Sequence, residues 1–141
     1  MADLDDIIGR FRSVDGEIRL ALLLDYSKRL PPIPEALEAE RDAGMNRVPE
    51  CMTPVFMWIR AEDGRMDVDV AEEAPTVKGV LSIIVEAMDS RPIADLPELP
   101  TDLISKLGLA TQIRMQRAVG LNAIIGRIRI ETGRLREEAP T

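Results

Sequence analysis

The chain contains no histidine and a single cysteine, Cys51, among its 141 residues. Without histidine, neither a Ser-His-Asp triad nor a Cys-His pair can be formed from this chain. With one thiol, a zinc site of several cysteines, a four-cysteine iron–sulfur cluster and an internal disulfide are also excluded within one chain. If the chain carries out covalent chemistry, Cys51 must do it, together with a partner.

The charge balance is acidic, with 25 acidic and 18 basic residues and a net charge of −7. Nucleic acid is therefore not expected as a partner, because phosphate binding needs a basic surface. No apolar run approaches the length that spans a bilayer, and the start, residues 1–6, is acidic where a signal peptide would be basic. We expect no membrane partner and a cytoplasmic location, where an unpaired thiol is common.

Three helices are predicted in the first third of the chain from capping residues and helix-breaking residues. The second of them ends at Pro31-Pro32, because proline lacks the backbone donor that a helix needs. The predicted starts are Asp3, Asp15 and Pro34, and the predicted ends are Phe11, Leu30 and Ala43 before Gly44.

The middle of the chain has the period of β-strands. Val55 to Ile59 is a nearly continuous apolar run, and residues 66–70 alternate between apolar side chains and aspartate, which predicts one solvent-facing side. Glu62-Asp63-Gly64 between them is typical of a hairpin turn. Residues 45–48 are long enough for only a short third strand.

Helical spacing returns after residue 76 and completes an α+β domain. An amphipathic helix is predicted from Val77 to Met88, and a short one from a Thr101 cap to Leu107, closed by Gly108. A last helix follows, and residues 131–141 are predicted to be a frayed tail. We therefore expect one domain over residues 1–141, with its core in residues 14–130.

Cys51 lies between two prolines, in the segment Val48-Pro49-Glu50-Cys51-Met52-Thr53-Pro54. A lone cysteine is more often a small buried hydrophobe than a reactive group. Here, each proline favours an extended conformation in the residue before it, which predicts a short, stiff loop that presents a side chain to a partner. The adjacent Glu50 argues the other way, because a carboxylate raises the pKa of a neighbouring thiol.

Arg117 and Lys78 are the other candidate site residues, since both lie near predicted helix starts. The alternative is that both are ordinary solvated charges on the surface.

Glu72, Glu73 and Glu86 have no spacing typical of a metal site. The glycines form no nucleotide-binding fingerprint. We expect no metal and no bound cofactor.

Five short motifs occur in an order that resembles the SufE family, the sulfur-acceptor proteins that serve cysteine desulfurases in iron–sulfur cluster assembly. The resemblance runs from about Asp15 to Arg129. The chain departs from the family pattern at Glu50, where glycine is usual, and at Glu73, where aspartate is frequent. The motifs are Leu30-Pro31, Asn46 to Cys51, Val77-Lys78-Gly79, Leu107-Gly108-Leu109 and Arg117-x-x-Gly120-Leu121.

The resemblance implies a fold shared with iron–sulfur scaffold proteins, in which helices pack against a small three-stranded antiparallel sheet. It also implies a function: Cys51 takes persulfide sulfur from a pyridoxal-phosphate (PLP) cysteine desulfurase of the SufS type, stimulates its turnover and relays the sulfur to cluster assembly, where a scaffold protein is a second partner. PLP then belongs to the partner, and the chain is a sulfur-transfer accessory rather than a stand-alone enzyme. The supporting or docking residues would be Arg117, Lys78, Glu50, Met52, Thr53 and Glu73.

Two other functions have to be weighed against sulfur transfer. A cluster scaffold of the same fold would need several thiolates, which one cysteine cannot supply. A binding module that activates a desulfurase by docking, with Cys51 only a structural side chain, is compatible with the sequence.

Overall fold

The structure, a computed structural model, describes residues 3–49, 54–59, 66–71, 74–88, 91, 96 and 98–138. Six helices and two strands occur in this part of the chain, in the order ααα–ββ–ααα, which confirms the predicted α+β class. The elements are α1 (Leu4–Arg12), α2 (Gly16–Arg29), α3 (Glu35–Asp42), β1 (Val55–Ile59), β2 (Met66–Val70), α4 (Pro75–Met88), α5 (Leu103–Lys106) and α6 (Met115–Glu138).

The N-terminal helices begin where their capping residues predict. The Asp3 carboxylate accepts a hydrogen bond from the Asp6 amide at 2.8 Å, and the Asp15 carboxylate accepts one from the Ile18 amide at 3.1 Å. These bonds satisfy amide donors that have no partner within the helix. The third helix, α3, follows Pro34, which makes no side-chain cap.

The sheet has two described strands rather than the three predicted. β1 and β2 are antiparallel, with Val55 opposite Val70 and Ile59 opposite Met66. The predicted third strand at residues 45–48 is reduced to one isolated bridge, between Arg47 and Phe56. Asn46 has a φ of +62°, which takes the backbone out of the extended conformation and ends the pairing.

The prediction of a solvent-facing side for β2 is wrong at Asp67. Its exposed fraction is only 8%, whereas Asp69, on the same side, is half-buried. Arg41 of α3 reaches Asp69, with 3.5 Å between Nη1 and Oδ2. A helix therefore lies beside this side of the sheet, and the alternating pattern could not reveal it. The turn predicted at Glu62-Asp63-Gly64 lies outside the described residues.

The centre of the molecule is α4, which is buried on nearly all sides instead of along one stripe. It packs most extensively against α2 and also contacts β2. Gly79 permits the close approach to α2, because a Cβ atom there would lie 2.5 Å from the Leu23 carbonyl oxygen. The local sequence pattern showed an amphipathic helix; tertiary contacts cover its other side as well.

The C-terminal helices depart from prediction at their ends. Thr101 does not cap α5, which begins after Asp102, although Gly108 does follow that helix with a φ of +73°. α6 continues to Glu138, so the tail predicted to fray from residue 131 is helical through most of its length. Thr132 and Leu135 are each 4% exposed, and this burial extends the helix beyond the predicted core.

Candidate functional site

The segment that contains Cys51 is fixed at both ends by backbone hydrogen bonds. The Val48 amide donates to the Val55 carbonyl oxygen at 2.8 Å, and the Met57 amide donates to the Asn46 carbonyl oxygen at 3.0 Å. Val48 and Val55 are also almost fully buried, with exposed fractions of 1% and 0%. The chain therefore enters and leaves residues 49–54 at one end of the sheet.

The same end of the sheet adjoins the start of α4. The Pro54 carbonyl oxygen accepts a hydrogen bond from the Ala71 amide at 3.2 Å, and the Ala71 carbonyl oxygen accepts one from the Ala74 amide at 3.1 Å. α4 then begins at Pro75. These bonds bring together the residue before β1 (Pro54), the residue after β2 (Ala71) and the first turn of α4.

Arg117 and Lys78 are both brought to this first turn of α4. Arg117, near the start of α6, donates from Nη1 to the Thr76 hydroxyl at 3.5 Å. The Lys78 amide donates to the Ala74 carbonyl oxygen at 3.0 Å, so Lys78 lies in the first turn itself. Both side chains are half-buried.

Two basic residues, Lys78 within the turn and Arg117 bonded to Thr76, are found at the first turn of α4. A helix of 14 residues carries a partial positive charge at its N-terminus, and the cations of Arg117 and Lys78 add to it. A thiolate or another anion is stabilised by such surroundings. The arrangement is therefore suited to hold a negative charge next to the Cys51 segment.

Sequence reasoning missed Thr76, the residue that holds Arg117. The only local signal is its position after Pro75, a residue favoured in the first turn of a helix. Its contact with Arg117 joins residues 41 positions apart, and local patterns do not contain such information.

Cys51 itself lies outside the described residues, as do Glu50, Met52, Thr53 and Glu73. Their roles remain predictions from the sequence. Of the predicted site residues, the structure describes Lys78 and Arg117.

Two cavities occur elsewhere in the described structure. One, of about 430 Å³, lies beside the far end of β1, and the other, of about 380 Å³, lies between α1 and residues 98–106. Neither is lined by Lys78 or Arg117. The first is lined by Leu37, Asn46, Met57, Trp58, Ile59, Arg127 and Glu131, and the second by Asp3, Leu4, Asp5, Ile8, Glu98, Pro100 and Lys106.

The described ranges contain no group of three or more cysteine, aspartate or glutamate side chains arranged to hold a metal ion. Within the same ranges, no helix combines the length and the apolar composition needed to cross a membrane.

Comparison with known proteins agrees with this architecture. Among solved structures, the fold is similar to the solution structure of a hypothetical protein from Thermus thermophilus, with a TM-score of 0.77. The two sequences are 27% identical, and the match covers 95% of this chain and 96% of that one. An uncharacterised SufE-like protein of Mycobacterium tuberculosis is 36% identical over 139 residues, covering 96% of this chain and 93% of the relative.

The name of a further relative states a role. The sulfur acceptor protein CsdE of Escherichia coli is 30% identical over 104 residues, covering 72% of this chain and 68% of the relative. The family profile described as "SufE: Fe-S metabolism associated domain" matches residues 5–132. The fold, the relatives and this match lead to one conclusion: the chain belongs to the SufE family.

Proposed function

We propose that this protein accepts persulfide sulfur from a PLP-dependent cysteine desulfurase of the SufS type on Cys51, stimulates the turnover of that enzyme and relays the sulfur to iron–sulfur cluster assembly. The observation that carries the proposal is the position of the only thiol. In the sequence, Cys51 lies three residues after Val48 and three before Pro54. The Val48 backbone is bonded to Val55, and the Pro54 carbonyl oxygen is bonded to Ala71, close to the start of α4. The name of the Escherichia coli relative, a sulfur acceptor protein, supports the same role.

The transfer is a nucleophilic displacement at sulfur. The Cys51 thiolate attacks the terminal sulfur of the persulfide on the desulfurase cysteine. A new S–S bond forms at Cys51 while the old S–S bond breaks, and the desulfurase cysteine leaves as a thiolate. No net oxidation occurs, and the rate depends on the thiolate fraction and the accessibility of the attacking group.

Arg117 and Lys78 provide the cations for this step. Thr76 holds the Arg117 guanidinium at the first turn of α4, where it stabilises an anionic sulfur or contacts acidic groups of the desulfurase. Lys78 lies in the same turn and adds to the attraction. In this proposal, the two cations act against the opposing effect of Glu50.

The remaining site residues act as neighbours of the thiol in this proposal. Met52 follows Cys51 directly and, in this proposal, shelters the persulfide, while Thr53 and Glu73 support the thiol or contribute to docking. The protein needs no cofactor of its own, since PLP belongs to the desulfurase and the sulfur is carried on Cys51. The reaction takes place in the cytoplasm, and an iron–sulfur scaffold receives the sulfur.

A second candidate function is a module that activates the desulfurase by docking alone. The acidic neighbour Glu50, which disfavours the thiolate, is the observation that favours it. Under this alternative Cys51 is only structural.

Turnover of a cysteine desulfurase separates the two functions. With the wild-type protein, the rate of alanine formation from L-cysteine rises; with Cys51→Ser, we expect binding to the desulfurase without stimulation. Stimulation by Cys51→Ser equal to that of the wild type would reject sulfur transfer in favour of docking.

Arg117→Ala tests the role of the cation in the same assay. A hydrogen bond to a charged group is worth about 1.5–3 kcal/mol, so we expect stimulation at limiting protein to fall by roughly tenfold or more. Arg114→Ala, which removes an exposed arginine three residues earlier, is the matched control and should leave stimulation nearly unchanged.

A further inference from the structure

The backbone pairing between Asn46 and Met57 is only half formed. The Met57 amide donates to the Asn46 carbonyl oxygen at 3.0 Å, but within the described part of the chain no bond runs from the Asn46 amide to the Met57 carbonyl oxygen. Two residues paired in this way in an antiparallel ladder normally exchange both bonds. Because Asn46 has a φ of +62°, its amide is turned away and the second bond is missing.

The edge of β1 beyond this pair has no partner strand among the described residues. Backbone groups of alternate residues face the same edge of a strand, so the Ile59 amide points to the same side as the Met57 carbonyl oxygen. Apart from β2, none of the described backbone groups bonds to either of them. The cavity of about 430 Å³ lies at this edge, against Met57, Trp58 and Ile59. The sheet therefore ends at an open position for a third strand.

The residues just before Asn46 lie next to this open position. Gly44 has a φ of +80°, and glycine adopts positive and negative φ about equally well. Met45 is 52% exposed, and its amide donates to the Glu40 carbonyl oxygen at 2.8 Å, in the turn that follows α3. An exposed apolar side chain and a conformationally free glycine thus adjoin an unpaired strand edge.

We propose that residues 44–46 have two states, the turn seen here and a strand that extends the sheet along β1. In the strand state, Asn46 leaves the left-handed region and its amide donates to the Met57 carbonyl oxygen. The Gly44 carbonyl oxygen then accepts a hydrogen bond from the Ile59 amide. These two bonds complete the ladder that stops after one bridge in the turn state.

The register of the strand state follows from the bridge that already exists. Arg47 is opposite Phe56, so two residues further along Met45 is opposite Trp58. The Trp58 side chain lines the cavity. A cross-strand contact of methionine with an aromatic ring is favourable, and it would cover the side chain that is exposed in the turn state.

The exchange between the two states is close to balanced in hydrogen bonds. The turn state holds the bond from the Met45 amide and a bond of 3.4 Å from Asn46 Nδ2 to Glu40 Oε1, and the strand state replaces them with two ladder bonds. Burial of Met45 favours the strand, whereas asparagine tolerates a positive φ better than most residues and permits the turn. The side chain at position 46 therefore controls which state predominates.

The exchange bears on Cys51 because residues 49–54 connect the two sides of this pairing. In the turn state, the pairing consists of one bridge with the bonds on either side of it. A longer ladder restrains the connecting segment more strongly, since short pairs of strands are only marginally stable. Resting on the proposed function, we expect the turn state to let the Cys51 segment adapt to the desulfurase and the strand state to slow the transfer.

Hydrogen exchange of the Ile59 amide, followed by NMR in the full chain, tests the two states. Asn46→Val disfavours a positive φ and Asn46→Gly permits it, while both remove the side-chain bond to Glu40. We expect the Ile59 amide to exchange about tenfold or more slowly in Asn46→Val than in Asn46→Gly. The Met57 amide, which is bonded in both states, is the internal control. Equal Ile59 exchange in the two variants, or faster exchange in Asn46→Val, would overturn the proposal.

Disulfide formation tests the register, because Cys51→Ser leaves a chain without cysteine. In that background, Met45→Cys with Trp58→Cys should couple under mild oxidation, since residues opposite each other without direct ladder bonds have Cα atoms about 4.5 Å apart. Arg47→Cys with Phe56→Cys is the matched pair at the bridge present in both states. A Met45→Cys, Trp58→Cys protein that stays reduced would contradict the strand state.

The desulfurase separates this switch from other uses of the same edge. Asn46→Val should stimulate desulfurase turnover less than Asn46→Gly does. If Ile59 is protected only after the desulfurase is added, the edge pairs with a strand of that enzyme and the internal switch is rejected. The exchange and disulfide measurements on the protein alone do not depend on sulfur transfer, so a failure of the proposed function leaves them unaffected.

Discussion

At the scale of single residues, Glu50 is the neighbour that most affects the proposed chemistry of Cys51. A carboxylate beside a thiol disfavours the thiolate by repulsion. In water, the repulsion between two unit charges several ångströms apart is roughly 0.7 kcal/mol, about a threefold change in an equilibrium constant. Glu50→Gln should therefore lower the pKa of Cys51 and speed its alkylation at neutral pH by about threefold.

The pH dependence of the alkylation rate with iodoacetamide measures this effect. Glu35→Gln, which removes an exposed carboxylate from α3, is the matched control and should leave the profile unchanged. An unchanged or slower alkylation rate in Glu50→Gln would show that the carboxylate does not oppose the thiolate.

The titration of Tyr26 is expected to lower the stability of the folded state at alkaline pH. Burial, followed by the carboxylate of Glu86, raises the pKa of its phenol above the ordinary value of 10.0. The folded state therefore keeps the neutral phenol at a pH where the unfolded chain has lost the proton. Its contribution to stability is complete below about pH 10 and falls as the pH rises through the pKa of the folded state.

Urea unfolding at a series of pH values checks this prediction. The free energy of unfolding of the wild type should fall above about pH 10, and Tyr26→Phe should lose less over the same interval. Since Tyr26 is the only tyrosine, tyrosinate absorbance reports its titration directly. A phenol that titrates at its ordinary value in the folded protein would contradict the account.

Residue roles were predictable where the partner is close in sequence. Asp3 and Asp15 cap amides three residues away, and that spacing is visible in the sequence. Arg19 was not predictable, because its guanidinium donates to three carbonyl oxygens that the fold brings together. They belong to Phe11, Val14 and Gly108, at 2.8, 2.7 and 3.1 Å.

At the scale of elements, local pattern identified the helices and both described strands, but not their surroundings. Residues 55–59 and 66–70 are strands as predicted. The prediction of a short third strand was wrong because the left-handed conformation of Asn46 limits the pairing to one bridge. α4 shows the same limit, since periodicity reports the face that a helix must bury and not the further contacts that enclose it.

The contact of α2 with α4 gives a prediction for the central helix. In Gly79→Ala, the new Cβ would lie 2.5 Å from the Leu23 carbonyl oxygen and 2.8 Å from its Cδ1, so the two helices must move apart. Overpacking of this kind costs about 1–3 kcal/mol. We expect the free energy of unfolding in urea to fall by that amount.

Gly9→Ala is the matched control for Gly79→Ala. A Cβ at Gly9 in α1 would meet nothing within 4 Å, so the gain in helix propensity should raise stability by about 0.5–1 kcal/mol. A stability of Gly79→Ala equal to or above that of the wild type would mean that α2 and α4 do not approach closely.

At the scale of the whole molecule, contacts between residues that are distant in sequence decide where the domain ends. Arg129 of α6 donates to the Leu99 carbonyl oxygen and pairs with Glu98 at 3.2 Å, and Arg136 donates to the Leu96 carbonyl oxygen at 2.7 Å. These contacts hold the end of α6, which the sequence predicted to fray. Composition alone could not show them, because they cross 30 to 40 residues of chain.

The sequence indicated the family and named candidate site residues, whose roles stay predictions, but it did not contain the geometry around Lys78 and Arg117. The order of short motifs around Cys51, Lys78 and Arg117 indicated the family, which the match over residues 5–132 establishes. The contact of Arg117 with Thr76 in the first turn of α4 joins residues 41 positions apart, and no local pattern contains it.

The measurement that tests the central claim most directly is the mass of the protein after incubation with a cysteine desulfurase and L-cysteine. We expect the wild type to gain the mass of one sulfur atom, to carry it on the peptide that contains Cys51, and to lose it on treatment with a reducing thiol. Cys51→Ser should gain nothing. A wild-type protein that stimulates the desulfurase while its own mass stays unchanged would contradict the account.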